Sequence, residues 1–297
     1  MKKLKKFFSI ITAISLTVTF FSEVEALDYK DWKFDKSTVV KAVGGALAGA
    51  ASVGLAIYAA AKVLNYGKEI KDYAFSYRQD LTSMKISNSV ESIGKYAFAY
   101  CPKLEVVEIP DSVKSIGEYA FAGCTKLEVV EISNGVTSIG EGAFCNCKNL
   151  KKIKIPSSVT SIGKKAFYSC ENLETIEIPN GISCIGEETF TSCTRLKSIV
   201  FPDGIEYIGN IAFNACSTLR SIILPNSIKH VGDSAFYYCT GLESITLPNS
   251  IEKIGVSAFD ETHKLKKIEV VNNCVNDTIA VKEMIEQKKV EVARRQR

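Results

Sequence analysis

A 23-residue unit recurs from about Ser87 to Val270, and no other feature constrains the fold of this chain as tightly. The unit reads I-P-x-S-V-x-x-I-G-x-x-A-F-x-x-C-x-x-L-x-x-I-x-I. Phenylalanine returns in register at Phe98, Phe121, Phe144, Phe167, Phe190, Phe213, Phe236 and Phe259. Glycine precedes it by four residues, from Gly94 to Gly255, and leucine keeps the same period from Leu104 to Leu265. One unit offers too little apolar surface to offset the entropy of ordering it, so neighbouring units must stack. A period in this range with such apolar invariance therefore specifies a solenoid.

Within each unit two short segments have β character. The run 127–132 alternates so that Val130 and Ile132 share one face. Turn chemistry follows it, as in Pro156-Ser157-Ser158 and Pro179-Asn180-Gly181, where proline presets φ and Ser, Asn or Gly suit the next corners. A second extended piece, such as 159–162, ends at the periodic glycine. That glycine predicts either a positive φ or a close approach between coils. The run 164–170 has room for a short helix or 3₁₀ turn. At roughly 4.8 Å per coil, eight full units would form a rod or arc about 40 Å long.

The unit resembles the BspA-like leucine-rich repeat family of bacterial and protist cell-surface proteins. The resemblance spans residues 87–270 in eight copies. It implies a right-handed α/β repeat solenoid with one parallel sheet along one face, used for binding and described in many members as an adhesin. It names no ligand.

A degenerate copy precedes the regular ones at 66–86, with Ile70, Ala74, Phe75, Leu81, Met84 and Ile86 in register, Lys71 at the glycine position and Arg78 at the cysteine position. Charge where stacking ends is what a capping repeat requires. The solenoid is thus expected over 66–274. The segment 275–297 starts with Asn276, Asp277 and Thr278, carries Val281, Met284, Ile285 and Val292 near one face, and ends in Arg294, Arg295 and Arg297. It reads as a capping helix with cations suited to its C-terminus.

The first 65 residues are different material. Residues 1–26 have a secretory signal's three parts: Lys2, Lys3, Lys5 and Lys6, then an uncharged apolar stretch 7–21, then small residues allowing cleavage before Leu27. An uncleaved anchor is the alternative. Residues 27–65 contain an uncharged Ala/Gly-rich stretch, 42–61, beginning at Ala42 and ending at Ala61. Its length would cross a bilayer as a helix, and Gly45 and Gly49 suit close helix packing. Its weak hydrophobicity argues against a span, leaving a packed helix or spacer as alternatives. If the signal is cleaved and 42–61 spans, the repeats would face the cytoplasm; the family resemblance favours an external domain.

The net charge is +4, and removing four lysines and two glutamates with residues 1–26 leaves 4 − 2 = +2. So mild a charge argues against nucleic acid as partner. Seven of ten cysteines occupy the repeat's own position, from Cys101 to Cys239, and read as buried free thiols, since parallel Cβ vectors oppose disulfide geometry. With only His230 and His263, no zinc site assembles, and no catalytic or cofactor-binding motif is present, so no catalytic residue, metal or cofactor is assigned. Binding is the better class. Strand positions not committed to the core should carry it: Lys152, Lys154, Lys197, Ser198, Val200, Arg220, Ser221, Ile223, Ser244 and Thr246, facing a protein ligand from a host or neighbouring cell. Simple β-propensity is a competing account of Val200 and Ile223. Two other functions are open: an envelope protein self-associating through 42–61, and a membrane-anchored cytosolic scaffold.

Overall fold

A computed structural model describes residues 67–270 together with Glu283, Glu286 and Gln287. The expected signal sequence at 1–26, the segment 27–65, Cys274 and the capping helix expected at 275–297 lie outside the described residues, although Glu283, Glu286 and Gln287 are helical and exposed. Residues 67–270 wind through nine coils, each carrying two strands. Coils 1 to 3 hold β1 (Glu69–Ile70) and β2 (Ser83–Lys85), β3 (Ser92–Ile93) and β4 (Val106–Ile109), β5 (Ser115–Ile116) and β6 (Val129–Ile132). Coils 4 to 6 hold β7 (Ser138–Ile139) and β8 (Lys152–Lys154), β9 (Ser161–Ile162) and β10 (Thr175–Glu177), β11 (Cys184–Ile185) and β12 (Ser198–Val200). Coils 7 to 9 hold β13 (Tyr207–Ile208) and β14 (Ser221–Ile223), β15 (His230–Val231) and β16 (Ser244–Leu247), β17 (Lys253–Ile254) and β18 (Lys267–Val270).

All pairing is parallel and in register at the repeat period, as in Val129↔Lys152 and Ile93↔Ile116. The expected single sheet is therefore incomplete. Long strands stack on one side, and two-residue strands form a second ladder on another. The degenerate repeat is a true first coil, since β1 pairs β3 and β2 pairs β4. Its Ala74, however, is exposed, unlike the buried alanines of later coils.

The expected helix at 164–170 does not form, and helix among the described residues is confined to Glu283, Glu286 and Gln287. Hydrogen bonding explains why. In coil 2 the N–H groups of Ala97 and Ala99 donate within their own turns, to Gly94 and Tyr96, whereas those of Tyr96, Phe98 and Tyr100 donate to Glu118, Ala120 and Ala122 of the next coil. Alternate amides thus point along the solenoid axis. A helix would direct them all along its own axis and leave the next coil unpaired. Left-handed φ values recur where this zigzag turns, at Tyr96 (53°), Tyr100 (57°), Lys165 (57°) and Ser169 (54°).

The periodic glycine has no positive φ; close approach is its reason. A Cβ on Gly117 would lie 2.6 Å from the backbone of Gly94, and one on Gly163 would lie 2.4 Å from the Glu141 amide. The core repeats what the period demands: the phenylalanines from Phe98 to Phe236 are fully buried and stack in one column, with centroids 4.9 to 5.7 Å apart from Phe75 to Phe259. Each is worth roughly 1.5–3 kcal/mol of transfer free energy plus its stacking. The nine described cysteines are free. Each ladder thiol donates to the carbonyl of a phenylalanine one coil back, Cys124 to Phe98 and Cys193 to Phe167, both at 3.2 Å.

Two breaks interrupt the ladders. The short strands divide between β9 and β11, and the long strands between β12 and β14. Each break coincides with an oversized residue in the repeat. Thr189 stands where other coils have alanine, and a Cβ on the nearby Gly186 would be 3.4 Å from Lys164, not the 2.3–2.7 Å at other periodic glycines. Phe201 stands after β12 where the other coils have Ile, Leu or Val, and meets Phe213 edge-on at 6.1 Å. Added bulk holds the coils apart locally, which is the cost of overpacking an interior already at crystal density.

Candidate functional site

In each long strand the residues two and four places after the periodic leucine point outward, because those one and three places along the pleat from them are inward or flanking. The burial pattern of β4 and β6 alternates exposed and buried, and that of β8, β10 and β14 runs exposed, buried, exposed. Lys152, Lys154, Lys197, Ser198, Val200, Arg220, Ser221 and Ile223 are all exposed on this face, whereas Ser244 and Thr246 are half-buried. The Thr246 hydroxyl donates to the exposed Glu269, its register partner on β18, at 3.4 Å.

Four large apolar side chains lie open here: Val106, Val129, Val200 and Ile223, the last two 58% and 72% exposed. They form two pairs separated by β8 and β10. The pair Val200 and Ile223 flanks the break in the long-strand ladder. Charges are banded around them. Glu105, Glu108, Glu128 and Glu131 accompany the two valines; Lys151, Lys152 and Lys154 follow; Lys197 and Arg220 accompany the second pair. Some are neutralised between coils: Lys151 pairs with Glu128 at 2.9 Å, Lys197 with Glu174 at 2.8 Å and Lys85 with Glu108 at 3.5 Å. The Lys197 ammonium beside Glu174 holds that carboxyl below its ordinary pKa. Glu105, Glu131, Lys152, Lys154, Glu177 and Arg220 have no ion-pair partner among the described residues.

Beside this face runs a shallow open depression of about 510 Å³, lined by Lys197, Ser217, Thr218, Arg220, Gly241, Glu243 and Lys264. At Gly241 the chain passes close to the preceding coil, since a Cβ there would lie 2.2 Å from the Ser217 carbonyl oxygen. Among the described residues no three His, Cys, Asp or Glu side chains are placed to share a metal ion.

The residue pattern did not single out the tyrosines of the early coils. Tyr73, Tyr96 and Tyr119 stack at 5.1 Å, and Tyr77 stacks on Tyr100 at 5.0 Å. The columns end where glycine follows: the Tyr119 ring occupies the space a Cβ on Gly142 would need, and Tyr100 does the same at Gly123. The Tyr119 hydroxyl donates to Glu141 at 2.8 Å, and partial burial beside that carboxylate pushes its pKa up. Spacing tyrosines at the coil period was the available signal. Cys184, Tyr207 and His230 lie in register on the short-strand ladder, where His230 approaches Glu252 to 3.8 Å.

The family model described as "BspA type Leucine rich repeat region", in six copies, matches residues 68–193 and 160–279. No curated protein matches the chain. Solved structures do. A leucine-rich repeat protein of T. pallidum is 25% identical, with 69% of this chain and 82% of that one covered and a TM-score of 0.46. A leucine-rich cell surface protein of Faecalibacterium prausnitzii is 27% identical, with 69% and 83% covered and a TM-score of 0.30. The pneumococcal vaccine antigen PcpA is 21% identical, with 70% and 75% covered and a TM-score of 0.33. With TM-scores below 0.5 throughout, the assignment rests on the repeat match, which spans well over half the sequence and coincides with the nine stacked coils. The chain belongs to the BspA-type leucine-rich repeat family.

Proposed function

We propose that this chain is a non-enzymatic protein-binding module of the cell surface, acting in adhesion through its long-strand face. Leucine-rich repeat proteins generally bind proteins. The observation that carries the reading is the exposure of Val106, Val129, Val200 and Ile223 on one face, among charges that vary from coil to coil while the rest of each unit is held by the core. Solenoids present such faces to macromolecules, and the shallow depression at Gly241 is too open to enclose a small substrate. In this reading residues 1–26 direct export, 27–65 tether or space the repeats, 66–274 form the binding domain and 275–297 close its last coil.

The test is a double substitution, Val200→Asp with Ile223→Asp, in the immobilised full chain, scored by retention of surface-labelled proteins from intact cells. Retention should be lost with little change in the melting temperature, because both side chains point to solvent. Undiminished retention would move the site off this face, towards Cys184, Tyr207 and His230. Protease treatment of intact cells tests location: repeats outside are cut, and repeats fully protected behind the membrane contradict surface placement.

A further inference from the structure

We infer that the protein this face fits is a second copy of the same chain, packed sheet to sheet with its solenoid axis reversed. The inference rests on the long-strand face being protein-binding and goes beyond it by naming the occupant. Charge order along the face carries it. A two-fold axis parallel to the strands and midway between β8 and β10 sets coil 4 against coil 5 of the other copy, coil 3 against coil 6 and coil 2 against coil 7.

In the row directly after the periodic leucine this places Lys151 against Glu174, Glu128 against Lys197 and Glu105 against Arg220 of the second copy. Every pair is opposite in sign, and the symmetry makes each twice. In the row four after the leucine, Lys154 meets Glu177, and neither has an ion-pair partner of its own among the described residues. Glu105 and Arg220 lack partners in the same way and match each other here. Other axes fail. An axis between β6 and β8 sets the acidic coils 2 and 5 against each other, and one between β10 and β12 sets Lys154 and Arg220 in facing coils. Aligning the solenoids in parallel puts each coil on itself, glutamate on glutamate. Like charges juxtaposed across an interface cost several kcal/mol.

The apolar pairs obey the same symmetry. Val106 and Val129 occupy coils 2 and 3, and Val200 and Ile223 occupy coils 6 and 7, equidistant from the axis. They differ by two residues along the strand, about 6.6 Å at about 3.3 Å per residue. At two and a half coils from the axis, about 12 Å, a crossing angle of roughly 30° removes that offset for Val106 and Ile223, and at one and a half coils about two thirds of it for Val129 and Val200; packed sheets cross at about this angle. The same rotation displaces the central lysine and glutamate pairs by only about 1 Å, but Glu128 from Lys197 by about 4 Å and Glu105 from Arg220 by about 7 Å, so the central pairs carry the charge match. The contact over coils 2 to 7 spans about 24 Å by 10 Å, below the size of stable specific interfaces, so the dimer is weak, transient and salt-sensitive.

A charge swap tests it. Tagged and untagged full chains are mixed at low salt, and co-retention is measured for wild type, for Lys151→Glu with Lys154→Glu, and for Glu174→Lys with Glu177→Lys. Wild type should retain itself. Each variant should lose self-retention about tenfold or more, since all its central pairs become like-charged. The two variants mixed should recover it, because reversed coil 4 then faces reversed coil 5 and the native pairs face each other. Recovery also shows that both variants fold. No self-retention by wild type, variants that retain themselves, or a mixture that does not recover each overturn the inference. If the Val200→Asp, Ile223→Asp chain loses cell-surface proteins while the swap pattern is absent, the face binds a different protein and only the second-copy reading falls.

Discussion

Alanine at Gly140 would place a methyl carbon 2.7 Å from the Glu118 amide nitrogen and 2.7 Å from the Gly117 carbonyl carbon, against ordinary contacts from 3.4 Å upward. Both neighbours are backbone of the preceding coil and cannot rotate away, so the coils must part by about 0.7 Å, a loss of a quarter to a half of the dispersion well at that contact. The bond from Gly140 N–H to the Ile116 carbonyl would stretch from 2.8 Å to the limit of hydrogen bonding. A lost bond of about 1 kcal/mol and overpacking of about 1–2 kcal/mol sum to about 2–3 kcal/mol. At Gly186 the same methyl would meet the Thr189 hydroxyl at 3.2 Å and Lys164 backbone at 3.4 Å, because the ladder is already open there. Neither glycine has φ in the left-handed region, so the stiffer unfolded chain of an alanine variant offsets part of the cost. Gly186→Ala is expected within about 1 kcal/mol of wild type, and Gly140→Ala about 6–9 °C lower in melting temperature. Thermal and urea unfolding of the two variants measures the difference. Equal losses would refute close approach as the reason for the periodic glycine.

The breaks themselves predict a stabilising pair: Thr189→Ala with Phe201→Ile should raise the urea midpoint and slow amide exchange in coils 5 to 7, and unchanged exchange there would detach the breaks from these residues. Phe167→Ala, which removes a fully buried ring stacked on both sides, should cost about 3–5 kcal/mol, and Phe259→Ala, stacked on one side, clearly less. Burial pushes the Cys193 and Cys239 thiols up to about 12. The folded state then holds protons that the unfolded state releases above about pH 9, so stability should fall as pH climbs from 9 towards 12; replacing both by alanine should flatten that slope in urea titrations. With Ellman's reagent at pH 8, Cys184 should be the one described thiol that reacts before unfolding.

Much of this protein is set by periodicity in the sequence. Stacking of Phe98 on Phe121, burial of the cysteine ladder and the outward aim of Val200 and Ile223 all follow from repeating one pleated unit, since each position meets its own equivalent one coil away. The proline turns were equally legible; the period allows either a positive φ or a close approach at its glycine, and only the stacked coils decide for the second. The turn ladder at 164–170 was not, because its amides are shared between the residue's own turn and a coil 22 residues later, an arrangement local helical propensity cannot register. The breaks at Thr189 and Phe201 also needed the tertiary structure, as did the half-burial of Ser244 and Thr246. Sequence lists the charges on the strand face in order; only the stacked coils decide which of them are neutralised by a neighbour and which, like Lys154 and Glu177, have no ion-pair partner among the described residues. The physical reason is range: burial repeats with the unit, whereas a salt bridge depends on side-chain reach of a few ångströms between particular residues on adjacent coils.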